Sequence, residues 1–246
     1  MRVVVVGASS GLGRCIGVDR GQRGDQVALL ARRVERLDDA AREAGPGAIP
    51  VRCDVTDEAS CRAAVQEAAE RMGGIDAVIY STGIGPLGRI TELGADVWRR
   101  AFDTNVVGAA LITAAAVPHL TESAGAAAFL SSVSASLTPP WPGFGAYNVS
   151  KAALDKLVDS FRTEHPTVGF TRVVVGDCAG GEGDSVTEFP NDWDMEYAAE
   201  VMGIWAQRGY LTGTLMDVGD LLAVIDLVIG RHAVIPSVTV TPRPAG

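Results

Sequence analysis

The sequence predicts an α/β fold with a doubly wound parallel sheet, and two patterns carry that prediction. Short apolar runs rich in β-branched residues recur along the chain, beginning with RVVVVG and QVALLA. Between them lie charged, alanine-rich stretches with helical spacing, such as VERLDDAAREAG. Strands that alternate with helices build a parallel sheet covered by helices on both faces. We therefore predict a three-layer α/β/α architecture, formed as a single domain by residues 1–246.

The predicted strands follow one another in a regular order. They are RVVVVG, QVALLA, AIPVRCDV, IDAVIYSTG, AAAFLSSVS, FTRVVVG and HAVIP. Residues 218–229, VGDLLAVIDLVI, have the spacing of an amphipathic helix that packs on the core or on another subunit. Because no internal repeat or flexible linker divides the chain, a second domain is not required.

The composition is typical of a globular enzyme with one substantial core. Hydrophobic residues make up 47% and charged residues 21% of the 246 positions. The net charge of -9 opposes non-specific binding to nucleic acid or to an anionic membrane, because both require a positive field. No apolar run is long enough to span a bilayer, and the start, MRVVVVGASSG, is typical of a buried strand rather than of a signal peptide. We expect a cytoplasmic protein.

The cysteines and histidines do not predict a metal site. The four cysteines include no CxxC pair, which favours reduced thiols. The three histidines form no HExxH pattern and no cluster with the cysteines. We therefore expect no metal at the functional site.

The first predicted strand runs directly into a glycine-rich loop, GASSGLG. Its candidate cofactor-binding residues are Gly7, Ser9, Ser10, Gly11, Leu12 and Gly13. Glycines allow the backbone to turn tightly and to approach a pyrophosphate, while free N–H groups at the start of the next helix favour an anion. The alternative is an ordinary strand-to-helix turn. Because the loop lacks GKS or GKT, a nucleotide-hydrolysing P-loop is disfavoured.

Two arginines, Arg32 and Arg33, follow the second strand, where a protein that prefers NAD places an acidic residue on the ribose hydroxyls. A guanidinium instead suits a 2′-phosphate, so Arg32, with Arg33 as a second donor, favours NADP(H), although NAD(H) is possible. The alternative is two surface arginines at a helix start. After the third strand, Asp54 and Val55 are candidate adenine contacts, but Asp54 can also cap the helix that begins near Asp57.

The stretch GAYNVSKAAL places Tyr147 four residues before Lys151. On a helix this spacing puts both side chains on one face, so the ammonium can favour the phenolate form of the tyrosine. An ordinary solvated pair has the same spacing. The spacing alone therefore does not separate chemistry from helix surface.

In their order and spacing, these motifs resemble those of the short-chain dehydrogenase/reductase family. The motifs are GASSGLG, ARR, CDVT, NVVG, FLSSVS and YNVSK. The resemblance implies a Rossmann-type fold and an oxidoreductase that interconverts a small-molecule carbonyl and an alcohol by hydride transfer with NADP(H). It also implies that Tyr147 is the general acid/base, that Lys151 lowers its pKa and binds the nicotinamide ribose, and that Asn105 holds a water beside the lysine. The alternative for Asn105 is a backbone bond at a helix start.

The serine that polarises the carbonyl oxygen is Ser132 or Ser134. The strand end favours Ser132, whereas the family's usual spacing to the tyrosine favours Ser134. We prefer Ser132 because strand ends fix a position better than loops do, and the TPPWPGF loop can accommodate two extra residues.

The chain departs from the family pattern at several loops. Ser81, Thr82 and Gly83 replace an NNAG-like turn and are kept as candidate cofactor contacts. The expected proline-glycine after the sixth strand, where the family holds the nicotinamide amide, is missing. The glycine-rich DGG-like ending is missing as well, which puts the usual tetramer contacts in doubt. Small apolar residues in residues 105–120 and 147–165 still favour a homodimer or homotetramer with paired helices.

Residues 177–213 mix glycine, acidic and aromatic residues and are predicted to cover the substrate. Their notable side chains are Asp184, Glu188, Asp192, Asp194, Glu196, Phe189, Trp193, Tyr197 and Trp205. A polar or cationic substrate is one interpretation of the acidic residues, and a solvated acidic loop with aromatic anchors is the other.

The sequence leaves two rival functions beside the NADP(H)-dependent oxidoreductase. The altered loops motivate a catalytically weak NADP(H)-binding regulatory or scaffold protein. An NAD-dependent alcohol dehydrogenase would use the same site, and Arg32 disfavours it.

Overall fold

The computed structural model describes residues 1–230 and 233–243, and this part of the chain forms one sheet of seven parallel strands. The strands are β1 Arg2–Val6, β2 Gln26–Ala31, β3 Ala48–Arg52, β4 Ala77–Tyr80, β5 Ala126–Ser132, β6 Gly169–Val175 and β7 Ser237–Val240. Their order across the sheet is β3-β2-β1-β4-β5-β6-β7, so the chain winds to one side of β1 and then to the other. The predicted doubly wound fold is confirmed.

The last strand lies later than the sequence predicts. HAVIP was the expected strand; residues 231–232 lie outside the described part of the chain, and the observed strand starts after Pro236. Pairing with β6 begins with Arg172 opposite Ser237. The physical reason is that proline has no N–H to donate to a neighbouring strand, so regular pairing starts beyond it.

Helices cover both faces of the sheet. They are α1 Gly11–Gln22, α2 Val34–Ala44, α3 Glu58–Met72, α4 Ala95–Phe102, α5 Gly108–Ser123, α6 Val133–Ser136, α7 Gly145–Glu164, α8 Met195–Gln207 and α9 Val218–Ile229. One core contains residues of α3, α5 and α7, and the other contains residues of α1, α2 and α9. Alternate residues of β1 enter the two cores, Val4 and Val6 the first and Val3 and Val5 the second.

A π-helical turn, Asp103–Val107, joins α4 to α5 without a break. By length and composition alone the resulting run, Ala95–Ser123, is long and apolar enough to cross a membrane, which corrects the expectation from the sequence. Of its most apolar stretch, a share of 39% is buried inside the protein. Ile112, Ala116 and Leu120 belong to the core beside the sheet. In this fold the run is one of the helices that cover the sheet.

A third apolar cluster brings the proline-rich loop together with residues 177–213. Its buried members are Trp141 and Phe144 from the loop and Val201 and Trp205 from α8. The Phe144 and Trp205 rings stack with centroids 4.8 Å apart. Aromatic anchors therefore fix the segment that the sequence predicts to cover the substrate.

Candidate active site

The four residues predicted to carry the chemistry come from three different elements. Ser132 ends β5, Tyr147 and Lys151 lie in the first turns of α7, and Asn105 lies in the π-helical turn. In open α/β sheets, ligands bind in the crevice beyond the carboxyl ends of the strands. Ser132 ends its strand at that edge, so the chemistry predicted for it is placed where the fold binds ligands.

Lys151 is 4% exposed. Its Nζ donates a hydrogen bond to the Leu130 carbonyl oxygen at 2.7 Å and lies 5.9 Å from the centroid of the Tyr147 ring. Burial lowers the pKa of Lys151 to about 8, although the charge of Asp155 acts in the opposite direction. The solvated lysine allowed by the sequence is therefore excluded, and the ammonium lies next to the tyrosine.

Tyr147 has a hydroxyl that stays protonated at neutral pH. Burial raises the pKa of Tyr147 to about 12, and a hydrogen bond with the Ser132 side chain acts against that rise. A buried, protonated phenol is suited to donate a proton to an oxygen placed beside it.

Ser132 and Ser134 lie side by side, and of the two it is the Ser132 side chain that acts on the pKa of Tyr147. Their Oγ atoms are 3.0 Å apart, and the Ser134 backbone N–H donates to the Ser132 Oγ at 3.3 Å. Ser134 is buried, whereas Ser132 is partly exposed. This geometry supports Ser132 as the serine that meets a substrate, with Ser134 holding its hydroxyl in place.

Asn105 is completely buried and clamps the loop after β4. Its Oδ1 accepts a hydrogen bond from the Ile84 backbone N–H at 2.9 Å, and its Nδ2 donates to the Ile84 carbonyl at 2.9 Å and to the Ser150 Oγ at 2.8 Å. A Cβ on Gly83 would lie 3.3 Å from the Lys151 Nζ. Asn105 therefore holds a tightly packed loop against α7 through the Ile84 backbone and the Ser150 hydroxyl, rather than through a bond at a helix start.

The glycine-rich loop has the close packing that its glycines predict. Gly7 has a φ of +92°, and a Cβ there would lie 2.6 Å from the Thr82 Oγ1. A Cβ on Gly13 would overlap the carbonyl oxygen of Gly7 and the Ser81 side chain. Glycine at these two positions therefore lets the loop pack directly against the turn that follows β4.

The turn after β4 supports this loop. The Ser81 backbone N–H and hydroxyl both donate to the Val6 carbonyl, at 3.0 and 2.5 Å. Leu12, inside the loop, packs against the core on the α1 face of the sheet. The residues that replace the family's NNAG-like turn thus fix the glycine-rich loop from behind.

Arg33, rather than Arg32, faces the glycine-rich loop. Its Nη2 donates to the Ser9 and Ser10 hydroxyls, both at 2.9 Å, and its Nη1 pairs with the Glu188 Oε2 at 2.6 Å. Arg36 pairs with the other oxygen of Glu188. Arg32 is exposed. A set of hydroxyl and guanidinium donors therefore surrounds one carboxylate beside the loop.

Arg36 is a functional candidate that the sequence motifs did not indicate, and Glu188, expected only as an acidic residue of the covering segment, pairs with it and with Arg33. Arg36 lies three residues after Arg33 on α2, and helical spacing could have indicated that both side chains share a face. Glu188 is 155 residues from Arg33, and no local pattern connects the two.

Asp54 forms a local turn and does not cap α3. Its Oδ1 accepts hydrogen bonds from the Thr56 backbone N–H at 3.0 Å and hydroxyl at 2.8 Å, while Asp57 caps the helix through the Ser60 N–H. Burial disfavours its charge, but the Thr56 bonds and the charges of Arg32 and Arg52 keep the pKa of Asp54 below its usual value. The capping alternative is wrong because Asp57 already occupies that position.

Comparison with known proteins identifies the family. The model of the short chain dehydrogenase family matches residues 1–188. The chain belongs to the short-chain dehydrogenase family. It is 34% identical to 11-beta-hydroxysteroid dehydrogenase A of Sesamum indicum over 181 residues, which are 71% of this chain and 51% of that protein. The chain thus spans about half the length of these curated relatives, among them 11-beta-hydroxysteroid dehydrogenase 1A of Arabidopsis thaliana.

Two solved structures share the short-chain dehydrogenase fold with nearly the whole chain. An alcohol dehydrogenase from Thermococcus sibiricus, complexed with 5-hydroxy-NADP, has a TM-score of 0.79 and 22% identity over 97% of this chain and 94% of its own. A 3-ketoacyl-(acyl-carrier-protein) reductase from Brucella melitensis, complexed with NADH, has a TM-score of 0.80 and 22% identity over 97% of this chain and 96% of its own. At this identity the likeness establishes the fold alone.

Proposed function

We propose that this short-chain dehydrogenase is an NADP(H)-dependent oxidoreductase that interconverts a carbonyl and an alcohol. The observation that carries the proposal is that Ser132, at the end of β5, lies beside Tyr147 and the buried Lys151 of α7. The Ser132 side chain acts on the pKa of the tyrosine hydroxyl, and the Lys151 Nζ lies 5.9 Å from the centroid of the tyrosine ring. Proton transfer to an oxygen requires such a donor within hydrogen-bond reach.

The family membership supports a nicotinamide cofactor, and the glycine-rich turn between β1 and α1 is the kind of turn that approaches a pyrophosphate in dinucleotide-binding folds. When bound, the nicotinamide supplies or receives the hydride. Two of the solved structures with this fold were crystallised with cofactors of that class. The residues of the chain thus fit the group that the family implies.

The mechanism assigns one task to each residue. In reduction, the Ser132 hydroxyl donates a hydrogen bond to the carbonyl oxygen, and Tyr147 gives its proton to that oxygen as the carbonyl carbon gains the hydride. The Lys151 ammonium stabilises the tyrosinate that is left. In oxidation, the tyrosinate takes the proton from the alcohol, and the steps run in reverse.

The preference for NADP(H) is supported by Arg33 and Arg36. Both guanidinium groups already hold a carboxylate, and Arg33 also bonds the serines of the glycine-rich loop. Guanidinium groups bind a phosphate dianion through charge-assisted hydrogen bonds. NAD(H) has only hydroxyls at this position of its ribose, so it would bring no anion to the two guanidinium groups.

The surroundings of Tyr147 favour a substrate with an apolar, aromatic group. The Tyr147 ring lies 5.4 Å from the centroid of Phe144 and 5.1 Å from that of Phe189. Trp193 closes the same cluster, 5.3 Å from Phe144. Apolar rings offer stacking contacts rather than ion pairs, so the polar or cationic substrate suggested by the acidic residues is disfavoured.

We also propose that the protein is at least a dimer. Val107 is 44% exposed, and Val149 on α7 is 47% exposed. Ala114 and Ala152, on α5 and α7, are exposed as well. These helices present small apolar surfaces that a second copy can cover across a twofold axis. Light scattering at micromolar concentration should show a dimer or tetramer, and a monomer alone would reject this assembly.

The experiment that tests the function is a panel of aromatic and aliphatic ketones and alcohols, followed through nicotinamide absorbance with both cofactors. Turnover with NADPH and an aryl ketone is the expected result. Tight NADPH binding with no turnover on any compound would instead support the regulatory or scaffold protein. The closed position of Phe189 against Tyr147 is the observation that favours this second candidate.

A further inference from the structure

Residues 187–189 lie across the cleft in which the nicotinamide cofactor is proposed to bind. At one end, Glu188 pairs with Arg33 at 2.6 Å and with Arg36, and the Ser10 hydroxyl donates to its Oε2 at 3.3 Å. These are the donors proposed above for the 2′-phosphate. Burial disfavours the charge of Glu188, but the arginine hydrogen bonds keep its pKa below the usual value. The carboxylate is therefore ionised and occupies the place proposed for the 2′-phosphate.

The middle of the same stretch covers the start of α1. A Cβ on Gly11 would lie 3.4 Å from the Thr187 Cα, so a single Cβ would fill the space between the two backbones. The Thr187 N–H donates to the Ala179 carbonyl at 2.9 Å, which holds this backbone in place. A pyrophosphate placed on the helix N-terminus would collide with it.

The other end of the stretch covers the reacting tyrosine. The Phe189 ring lies 5.1 Å from the Tyr147 ring and 5.7 Å from Trp193. It lies so close to Gly85 that any Cβ there would overlap it. Phe189 thus fills the space beside the hydroxyl that must meet a substrate.

The ion pairs that hold Glu188 in the place proposed for the 2′-phosphate are easily broken. Arg33 and Glu188 have side chains that are 41% and 30% exposed. Partly exposed ion pairs contribute little to stability, and solvent can replace their partners. The closed arrangement therefore competes with a ligand instead of excluding it permanently.

We propose that Glu188 is an internal competitor for the cofactor site, and that residues 187–189 must leave the cleft before NADP(H) or NAD(H) binds. This inference rests on the proposed function. The measured dissociation constant of each cofactor is its intrinsic value divided by the fraction of open protein. Because both cofactors need the same opening, weakening the closed state tightens both by one common factor. The choice between them depends on Arg33 and Arg36 instead.

The test compares Glu188→Gln with Glu182→Gln, the same change at an exposed glutamate of the same segment. Dissociation constants for NADPH and NADH are measured by fluorescence titration of the full chain. We expect Glu188→Gln to tighten both cofactors by about three- to tenfold and by the same factor, and Glu182→Gln to change neither. Tightening of NADPH alone would show simple charge repulsion with the 2′-phosphate and overturn the inference.

Hydrogen exchange of the cofactor-free protein separates this inference from the proposed function. The amides of residues 187–189 should exchange faster in Glu188→Gln than in the wild type, whatever the reaction catalysed. Turnover by the wild type, with unchanged exchange and unchanged cofactor affinity in Glu188→Gln, would overturn the competitor alone. Absence of binding of either cofactor to the wild type and to Glu188→Gln would overturn the proposed function as well.

Discussion

The floor of the cleft and the segment that covers it are held by different forces. The floor consists of strand ends and buried polar side chains, such as Lys151 on the Leu130 carbonyl and Asn105 on the Ile84 backbone. The cover, residues 177–213, is held by aromatic contacts and by partly exposed ion pairs of Glu188. Leaving a buried polar group without its partner costs far more free energy than breaking an exposed ion pair. The molecule therefore fixes its proton-transfer groups firmly, while the part of their cover held by the Glu188 ion pairs is easier to displace.

The largest effect should come from the hydroxyl of Tyr147 on the floor. Tyr147→Phe keeps the ring and removes the proton, so turnover should fall by about a thousandfold or more, within the range of general acid catalysis. NADPH binding should be retained. The control is Tyr197→Phe, which removes a hydroxyl from a covering residue that stacks with Arg89. Steady-state kinetics on an active ketone measures both, and near-normal activity of Tyr147→Phe would refute the mechanism.

The second prediction distinguishes Ser132 from Ser134 by the loss of turnover that each alanine substitution causes. Ser132→Ala removes the donor to the carbonyl oxygen and should reduce kcat by about a hundredfold, the scale for the loss of one oxyanion donor. Ser134→Ala removes only a neighbour of that donor and should cost much less. A larger loss for Ser134→Ala would show that the family spacing, not the strand end, identifies the serine.

The third prediction concerns the cost of burying Lys151. Its pKa of about 8 lies below the usual 10.5, so as pH falls the unfolded chain binds the proton first. The cost to stability therefore grows as pH falls from 10.5 to about 8 and is complete below that. Lys151→Met removes this cost and also loses the hydrogen bond to the Leu130 carbonyl, worth about 1 kcal/mol, so the free energy of unfolding should still rise by about 1 to 3 kcal/mol at pH 7 and by less at pH 9.5.

Urea denaturation at the two pH values measures this difference. Lys156→Met is the matched control, because Lys156 lies on the same helix with an exposed side chain. A loss of stability in Lys151→Met at neutral pH would mean that the ammonium supports the fold rather than the reaction.

The smallest effect should be on cofactor choice. Arg33→Ala removes the guanidinium that bonds Ser9 and Ser10, and the ratio of NADH to NADPH dissociation constants should fall by about tenfold. The ratio is the correct readout because loss of Arg33 also removes one of the ion pairs of Glu188. That change should alter the affinity for both cofactors by the same factor. Arg32→Ala, the matched control, should change the ratio much less, and the reverse ranking would return the role to Arg32.

Residues close in the sequence were predictable, and contacts between distant ones were not. The glycine-rich loop follows from glycine spacing after a strand, and the tyrosine and lysine share one helical turn, so local rules place them. Ser132 follows from its strand end. Glu188 and Arg33 are brought together only by the tertiary fold. The start of β7 depends on Pro236, because regular pairing with β6 begins only after it. The sequence therefore predicted the floor better than its cover.

The measurement that tests the central claim most directly is deuterium transfer from NADPH deuterated at the nicotinamide C4 to an aryl ketone. The account predicts an alcohol product with deuterium on its carbinol carbon for the wild type, and almost none of this product for Tyr147→Phe. It also predicts that both proteins bind the cofactor. Tight cofactor binding by the wild type with no deuterated alcohol from any ketone, or equal rates for the two proteins, would contradict it.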